Sequence, residues 1–473
     1  MSPRGSARRA RRRPRALAGR LAVVLVLAIG TGLWGLGWID HWRGHDRLAD
    51  TPAPRALTVA LPDATPADPV AAPADGTLQA APVRQVLARG IARALGSHVL
   101  AAVAGTSGGL VAQSGHGAAV PASTNKLLTA AAVLALEGPE KRYATRTVLS
   151  GGTVTLVGGG DPLLASRPST GYPQAGDVTT LAKQTAAALR STGRRVVRLR
   201  YDASLFTGPV TNPTWPASYL GEGIVAPITA LWVDEGRTTS DPEGTGRVAD
   251  PAASAAVTFE KALVAAGVRV MGPVRSAVAP DGAAELARVE SPPLREIVGH
   301  VLQVSDNEGA EVLAHQAGLA AGDGASFDGG VKAVLGALHD LDVDTTGLVL
   351  HDGSGLSRAN RVTATALVQV LQRATTEPRL APIVGALPVA GFSGSLLERF
   401  DALDGGSEPG RGLVRAKTGT LTGVDALAGY TQDATGSPVV FAVLADHVAV
   451  PNTLAARAAL DDLAAGLTTC RCG

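Results

Sequence analysis

Ser123-Thr124-Asn125-Lys126 opens the stretch STNKLLTAAAVLALE, residues 123–137, on which the reading of the whole chain turns. Ser123 is a residue type that starts helices, and Gly138 is one that stops them. After the first turn the residues between are almost all apolar, so no face is left for solvent and a buried central helix is predicted. At i and i+3 two helical side chains share a face, which brings the Lys126 amine within reach of the Ser123 hydroxyl. The chain has only six lysines (126, 141, 183, 261, 332 and 417) against 37 arginines. A guanidinium cannot be deprotonated in a protein whereas an ammonium can, so lysine is retained where a proton has to move. Neutral Lys126 can then take the Ser123 proton, and the helix N-terminus favours the resulting oxyanion. The ordinary alternative, a capping serine with a solvated lysine, is hard to fit onto so apolar a helix.

Working outward, residues 99–114 (VLAAVAGTSGGLVAQS) are two apolar runs around a Ser-Gly-Gly turn and read as a β-hairpin. Strands are predicted over 412–430 and 438–446, followed by a helix over about 452–467. Both chain ends therefore build one antiparallel sheet flanked by helices, an α+β fold over 82–144 and 291–473. The segment 145–290 has a different texture, with short β-like runs such as TVTLVGGG and RVVRLRYDA, and reads as an inserted, mostly β domain in which little looks catalytic. At about 150 residues per domain, 473 residues accommodate this division.

Two further patches carry chemistry. Lys417-Thr418-Gly419-Thr420 lies in a strand-like stretch. A cation there would lower the Lys126 amine pKa by repulsion and hold a substrate carboxylate, and Gly419 would let an extended substrate add to the strand edge. Ser305-Asp306-Asn307 falls between helical runs 294–304 and 308–317. Ser305 can relay a proton to a leaving group, and the Asn307 amide can bind substrate backbone and the Lys126 head. Gly105-Thr106-Ser107-Gly108-Gly109 satisfies the G-x-S-x-G of α/β-hydrolases but joins two strands, where that elbow needs a strand and then a helix.

Ser-x-x-Lys, Ser-Asp-Asn and Lys-Thr-Gly in this order form the motif set of penicillin-binding proteins and serine β-lactamases. The long gap between the first two motifs, filled by an insert, resembles the low-molecular-weight class C penicillin-binding proteins, the D-alanyl-D-alanine carboxypeptidase/endopeptidase family. Gly158 to Pro162, Ile224 to Trp232 and Asp352 to Arg358 add to the likeness, which covers about 82–467. The resemblance implies a penicillin-binding-protein/serine β-lactamase-like transpeptidase fold acting on peptidoglycan stem peptides and acylated by β-lactam antibiotics. It implies catalytic roles for Ser123, Lys126, Ser305, Asn307 and Lys417, with substrate held by Thr418, Gly419 and Thr420. It puts the backbone amides of Ser123 and Thr420 in an oxyanion hole and Arg358 near the pocket for the stem side chain. In such relatives an acid after an insert Trp meets the diaminoacid amine; in WPASYLGEG that place holds Ser218, with Glu222 nearby. A non-catalytic wall-peptide sensor of the same fold and a β-lactamase are the alternatives, and release of D-alanine separates them from a carboxypeptidase.

The N-terminus has its own logic. Eight of the arginines and no acid fall in residues 1–20, so the overall charge of +2 conceals −6 on the remainder, which argues against nucleic-acid partners. Leu21 to Ile39 is an uncharged run of bilayer length behind that basic arm, with Trp34, Trp38 and Trp42 at its outer end. A single membrane anchor with a cytoplasmic N-terminus and an extracytoplasmic, wall-side catalytic part is predicted, a cleaved signal peptide being the alternative. Residues 40–81 read as a Pro/Ala-rich stalk. The nine histidines show no H-E-x-x-H and no metal-ligand spacing, so no metal or cofactor is expected. Cys470 and Cys472 are too few for zinc and awkwardly close for an unstrained disulfide.

Overall fold

The computed structural model describes residues 77–169, 171–239, 246–401 and 406–473. The basic arm, the 21–39 run and the stalk up to residue 76 lie outside the described residues, among which no helix is long and apolar enough to cross a membrane. Helix α1 (Ala80–Gly90) precedes the antiparallel hairpin β1 (Val99–Ala104) and β2 (Leu110–Ser114). Gly105 to Gly109 is the loop of that hairpin, which removes the strand-to-helix turn a hydrolase elbow requires. A short 3-10 turn, Ala122–Asn125, then leads into α2 (Lys126–Glu137), so the α-helix proper begins three residues after Ser123. Both the amide and the hydroxyl of Thr124 donate to the Pro121 carbonyl, which draws this entry tight. From Lys126 to Leu134 the helix is buried without interruption. Each fully covered leucine or valine in it contributes about 1.5–3 kcal/mol.

The second sheet follows. In chain order come β3 (Ala144–Ser150), β4 (Thr153–Val157), α3 (Val178–Ser191), β5 (Val196–Asp202), α4 (Pro251–Ala265), the two-residue strands β6 (Arg269–Val270) and β7 (Arg275–Ser276), and β8 (Ala284–Glu290). The strands pair in the order β6-β5-β4-β3-β8, with β7 also beside β5. The mostly β expectation for 145–290 needs correcting, because two long helices lie within it. The cause is the pairing: β4/β5, β5/β6 and β5/β7 run parallel, and parallel neighbours need a crossover, which α3 and α4 supply. Leu181, Leu189, Phe259 and Leu263 of these helices pack with Val154, Leu156 and Leu199 of the strands.

Helices α5 (Leu294–Gln303), α6 (Asn307–Ala321), α7 (Phe327–Asp340) and α8 (Ala364–Thr376) pack around α2. Strands β9 (Arg415–Leu421), β10 (Val424–Gln432) and β11 (Pro438–Ala445) then join the hairpin in the order β2-β1-β11-β10-β9, and α9 (Thr453–Thr469) closes the chain. The predicted antiparallel sheet built from both chain ends is present. Its strands are apolar on both faces because both are covered: Leu100 and Ala102 face the α2 and α8 side, whereas Ala101 and Val103 face α1 and α9. β9 is an edge strand.

Cys470 and Cys472 are joined in a disulfide, which corrects the expectation that their spacing disfavours one. Residue 470 leaves the helix in an extended conformation, and the Cα atoms stand 5.3 Å apart, within the usual range for a bridge. The tail is also pinned through Asp433, whose Oδ2 accepts from the amides of Cys472 (2.8 Å) and Gly473 (2.7 Å).

Candidate active site

The Ser123 turn, the α5–α6 junction and β9 meet at one place. Ser123 is half-buried, while Lys126 directly beneath it is fully buried. The Lys126 Nζ has three partners: Ser123 Oγ at 3.0 Å, Asn307 Oδ1 at 2.8 Å and the Ser354 carbonyl at 2.9 Å. Asn307 donates through Nδ2 to the Ile224 carbonyl (3.0 Å), which fixes its Oδ1 toward the lysine. Two of the three partners can therefore only accept. A neutral amine gives its two hydrogens to them and aims its lone pair at the Ser123 hydroxyl, the geometry a proton acceptor needs.

Burial pulls the Lys126 pKa down to about 8, against the opposing pull of Asp306, Glu311, Asp352 and Glu308. Lys417 is held well below the ordinary lysine range, first by burial and then by repulsion from Lys126. Burial is thus the leading cause of the depression at both lysines, with like-charge repulsion adding to it at Lys417. Lys417 Nζ donates to Ser305 Oγ (2.8 Å) and to the Thr418 carbonyl (2.9 Å), which ties the Ser-Asp-Asn and Lys-Thr-Gly patches together.

Backbone strain sits beside the key hydroxyls. Ser305 has φ +61° and Ala122, just before Ser123, has φ +46°, conformations that side-chain-bearing residues rarely adopt. Asp306 caps α6 by accepting from the Gly309 amide at 2.9 Å. Gly419 has a reason the sequence did not reveal. A Cβ there would lie 2.6 Å from the Pro121 carbonyl oxygen and 3.2 Å from the Thr124 amide, so its bareness lets β9 pass against the Ser123 turn. Gly419→Ala is expected to lower stability by about 1–3 kcal/mol and to slow turnover by displacing that turn, as checked by thermal melting and steady-state rates. An unchanged melt would mean that the strand and the turn are not in contact.

Thr418 Oγ1 lies 2.7 Å from Ser395 Oγ, a residue sequence reasoning missed because it comes from a separate 3-10 turn, Gly394–Leu396. Thr420 Oγ1 donates to Asp425 across the β9/β10 pair (3.3 Å). Arg358 is exposed at the end of the Asp352–Arg358 loop and makes no hydrogen bond to the Ser123 group, although its charge acts on nearby Tyr219.

Two buried acids were also missed as supports. Glu311 accepts from the amides of Gly353 (3.0 Å) and Ser354 (2.7 Å), and burial pushes its pKa up to about 8. Asp352 gathers the amides of Gly355 and Ser357, Asn360 Nδ2 and Trp215 Nε1, all at 2.6–2.9 Å. Together they fix the loop whose Ser354 carbonyl holds Lys126. An acid within the otherwise buried helical run at 308–317 was the available signal for Glu311.

The 145–290 segment contributes more than expected. Ile224 and Ala226 bond to Asn307 and Glu308 of α6, Arg247 pairs with Glu308 at 2.7 Å, and the segment lines a cavity of about 830 Å³ beside Ser305 and Asn307. Glu235, His300 and Asp306 come within metal-binding reach there, but Arg237 already supplies a cation to Glu235 at 2.7 Å.

The D-Ala-D-Ala carboxypeptidase 3 (S13) family matches residues 85–244 and 241–467. Carboxypeptidase DacB of Mycolicibacterium smegmatis is 37% identical over 436 residues, covering 89% of this chain and 92% of that protein. Carboxypeptidase Rv3627c of Mycobacterium tuberculosis is 39% identical over 363 residues, covering 75% and 76% respectively. Penicillin binding protein 4 from Haemophilus influenzae superposes with a TM-score of 0.65 at 22% identity, over 81% of this chain and 98% of that one, which shows a shared fold. On sequence and fold together, the chain belongs to the D-Ala-D-Ala carboxypeptidase 3 (S13) family.

Proposed function

We propose that this chain is a serine D-alanyl-D-alanine carboxypeptidase that cleaves peptidoglycan stem peptides through an acyl-enzyme on Ser123 and is acylated there by β-lactams. The observation that carries this reading is the Lys126 amine, 3.0 Å from Ser123 Oγ, with its other two partners able only to accept. Ser123 Oγ attacks the carbonyl between the two D-alanines while its proton passes to Lys126. The C–N bond breaks as the leaving D-alanine nitrogen takes a proton through Ser305, and Lys417 reprotonates Ser305. The Ser123 and Thr420 amides form the oxyanion hole, a donor there being worth about 3–4 kcal/mol. Water then attacks the ester, giving its proton through Ser305 to the deprotonated Lys417, while protonated Lys126 returns its proton to Ser123 Oγ as the C–O bond breaks, which releases the shortened peptide and restores the starting enzyme. Cutting of cross-links by the same acyl-enzyme is the finer possibility, set by how much leaving group the cleft admits.

The leaving D-alanine carboxylate docks against Lys417, Thr418 and Ser395. Burial disfavours the charged Lys417 in the free enzyme, so an arriving carboxylate draws a proton onto it. Ser395→Ala is expected to raise KM about tenfold for a peptide ending in a free carboxylate and to leave its C-terminal amide unaffected, since a hydrogen bond to a charged group is worth about 1.5–3 kcal/mol. Equal losses on both substrates would remove Ser395 from carboxylate recognition.

The same reading anchors the chain in a membrane through residues 21–39, with the catalytic part outside the cytoplasm; this rests on the sequence pattern. A chain beginning at Leu78 retains α1, and the Gln79 amide still reaches the Cys472 carbonyl (2.5 Å). It is expected to be soluble in fractionation and fully active, whereas the full chain sediments with membranes. Loss of turnover would give the N-terminal segment a structural role. Purified stem peptide incubated with the enzyme tests the function: free D-alanine is expected, and a stable acyl-enzyme without release would identify a sensor.

A further inference from the structure

His98 immediately precedes β1, while Asp446 and His447 immediately follow β11. The antiparallel register that sets Val99 opposite Ala445 also brings His98 opposite Asp446. Gly96 bridges His447, and its bare α-carbon with φ +83° is what lets the two chains approach so closely. One nitrogen from each imidazole and one Asp446 oxygen thus lie within 4.8 Å of one another. The Asp446 side chain is only 6% exposed, and among the described residues its ion-pair partner is His98, with Nδ1 2.5 Å from Oδ1; no lysine or arginine pairs with it. A shielded carboxylate facing two imidazoles without a fixed cation is a setting that favours a divalent ion.

We propose that His98, Asp446 and His447 form a binding site for a borderline divalent transition-metal ion, zinc above all. Two imidazoles and one carboxylate are a donor set suited to Zn²⁺, with Ni²⁺ and Cu²⁺ as competitors, and the half-exposed His98 and exposed His447 leave room for water to complete the coordination. Ligands bound at about 2.0–2.2 Å from one tetrahedral ion stand somewhat over 3 Å apart. The His98–Asp446 pair therefore opens by several tenths of an ångström and His98 carries its hydrogen on Nε2. The site was invisible to a search for ligand spacing because one of its histidines lies 348 residues from Asp446.

The position has a consequence for the nucleophile's surroundings. Asp446 Oδ2 accepts from the Val120 amide at 2.9 Å, and Val120-Pro121-Ala122 leads directly into Ser123. An ion held through Oδ1 fastens the open ends of β1 and β11 and, through the same carboxylate, the approach to the Ser123 turn. The site shares no residue with the Lys126–Asn307 group and does not depend on the carboxypeptidase reading.

The test is zinc binding to the chelator-treated full chain, measured by competition with a chromophoric chelator, alongside the Co²⁺ visible spectrum. One ion per chain is expected at micromolar or lower Kd, with the intense bands of low-coordinate Co²⁺ and a melting temperature raised by zinc. His447→Ala, at an exposed position, is expected to fold and to weaken binding at least tenfold; His98→Ala should do the same. Binding that is unchanged in both variants would place the ion elsewhere, and no binding at 100 µM Zn²⁺ would overturn the proposal.

Discussion

Ser123→Ala is expected to abolish D-alanine release and covalent labelling by penicillin together, each by about 10⁴-fold or more, while the melting temperature stays within a few degrees of the parent. The reasons are local. Ser123 is half-exposed and outside the helix core, and the hydroxyl is bonded to an amine that keeps two other partners when the oxygen is removed. No buried group loses its last partner, so the effect on folding is small. The effect on chemistry is complete because among the described residues no other serine lies within reach of Lys126 Nζ in the right role: the Ser354 contact is through its backbone carbonyl, and Ser305 is bonded to Lys417. Loss of labelling with retained D-alanine release would point to a different nucleophile.

Lys126→Arg is the second large effect. Turnover and acylation are expected to fall at least about 10³-fold even though the positive charge is kept, because a guanidinium cannot give up its proton at accessible pH. The larger head must also fit a fully buried space already bounded by Asn307, Ser354 and Ser123, so a stability loss of about 1–3 kcal/mol is expected as well. Lys126→Met separates the two effects, since it fits the volume without charge: it should melt near the parent and be equally inactive. Acylation by Lys126→Met at close to the parent rate would remove the lysine from proton transfer.

How much of this was legible follows the range of the interactions involved. The Ser123–Lys126 pair follows from helical spacing, and the sheet strands follow from apolar runs bounded by turns, so local periodicity sufficed. That Ser305 and Lys417 meet, at 2.8 Å across 112 residues, was readable only as a motif resemblance, because nothing local predicts it. Glu311 and Asp352 looked like ordinary acids until the fold gave them backbone amides to hold. Ser395 and the His98–Asp446 pair are tertiary juxtapositions with no local signature. The parallel strands of the 145–290 segment were missed because short β-like runs do not reveal whether a partner runs parallel, and parallel pairing is what demands α3 and α4. That burial, more than repulsion, depresses the two lysines was not legible because burial depends on neighbours far along the chain.

The central claim is that a neutral, buried Lys126 accepts the proton of Ser123. Its most direct test is the pH dependence of the rate constant for penicillin acylation. With the lysine pulled down to about 8, the amine is protonated and unable to accept below that value. The rate is expected to rise about tenfold per pH unit up to about 8 and then level off. A rate flat from pH 6 to 10, or a rising limb retained unchanged in Lys126→Met, would contradict it.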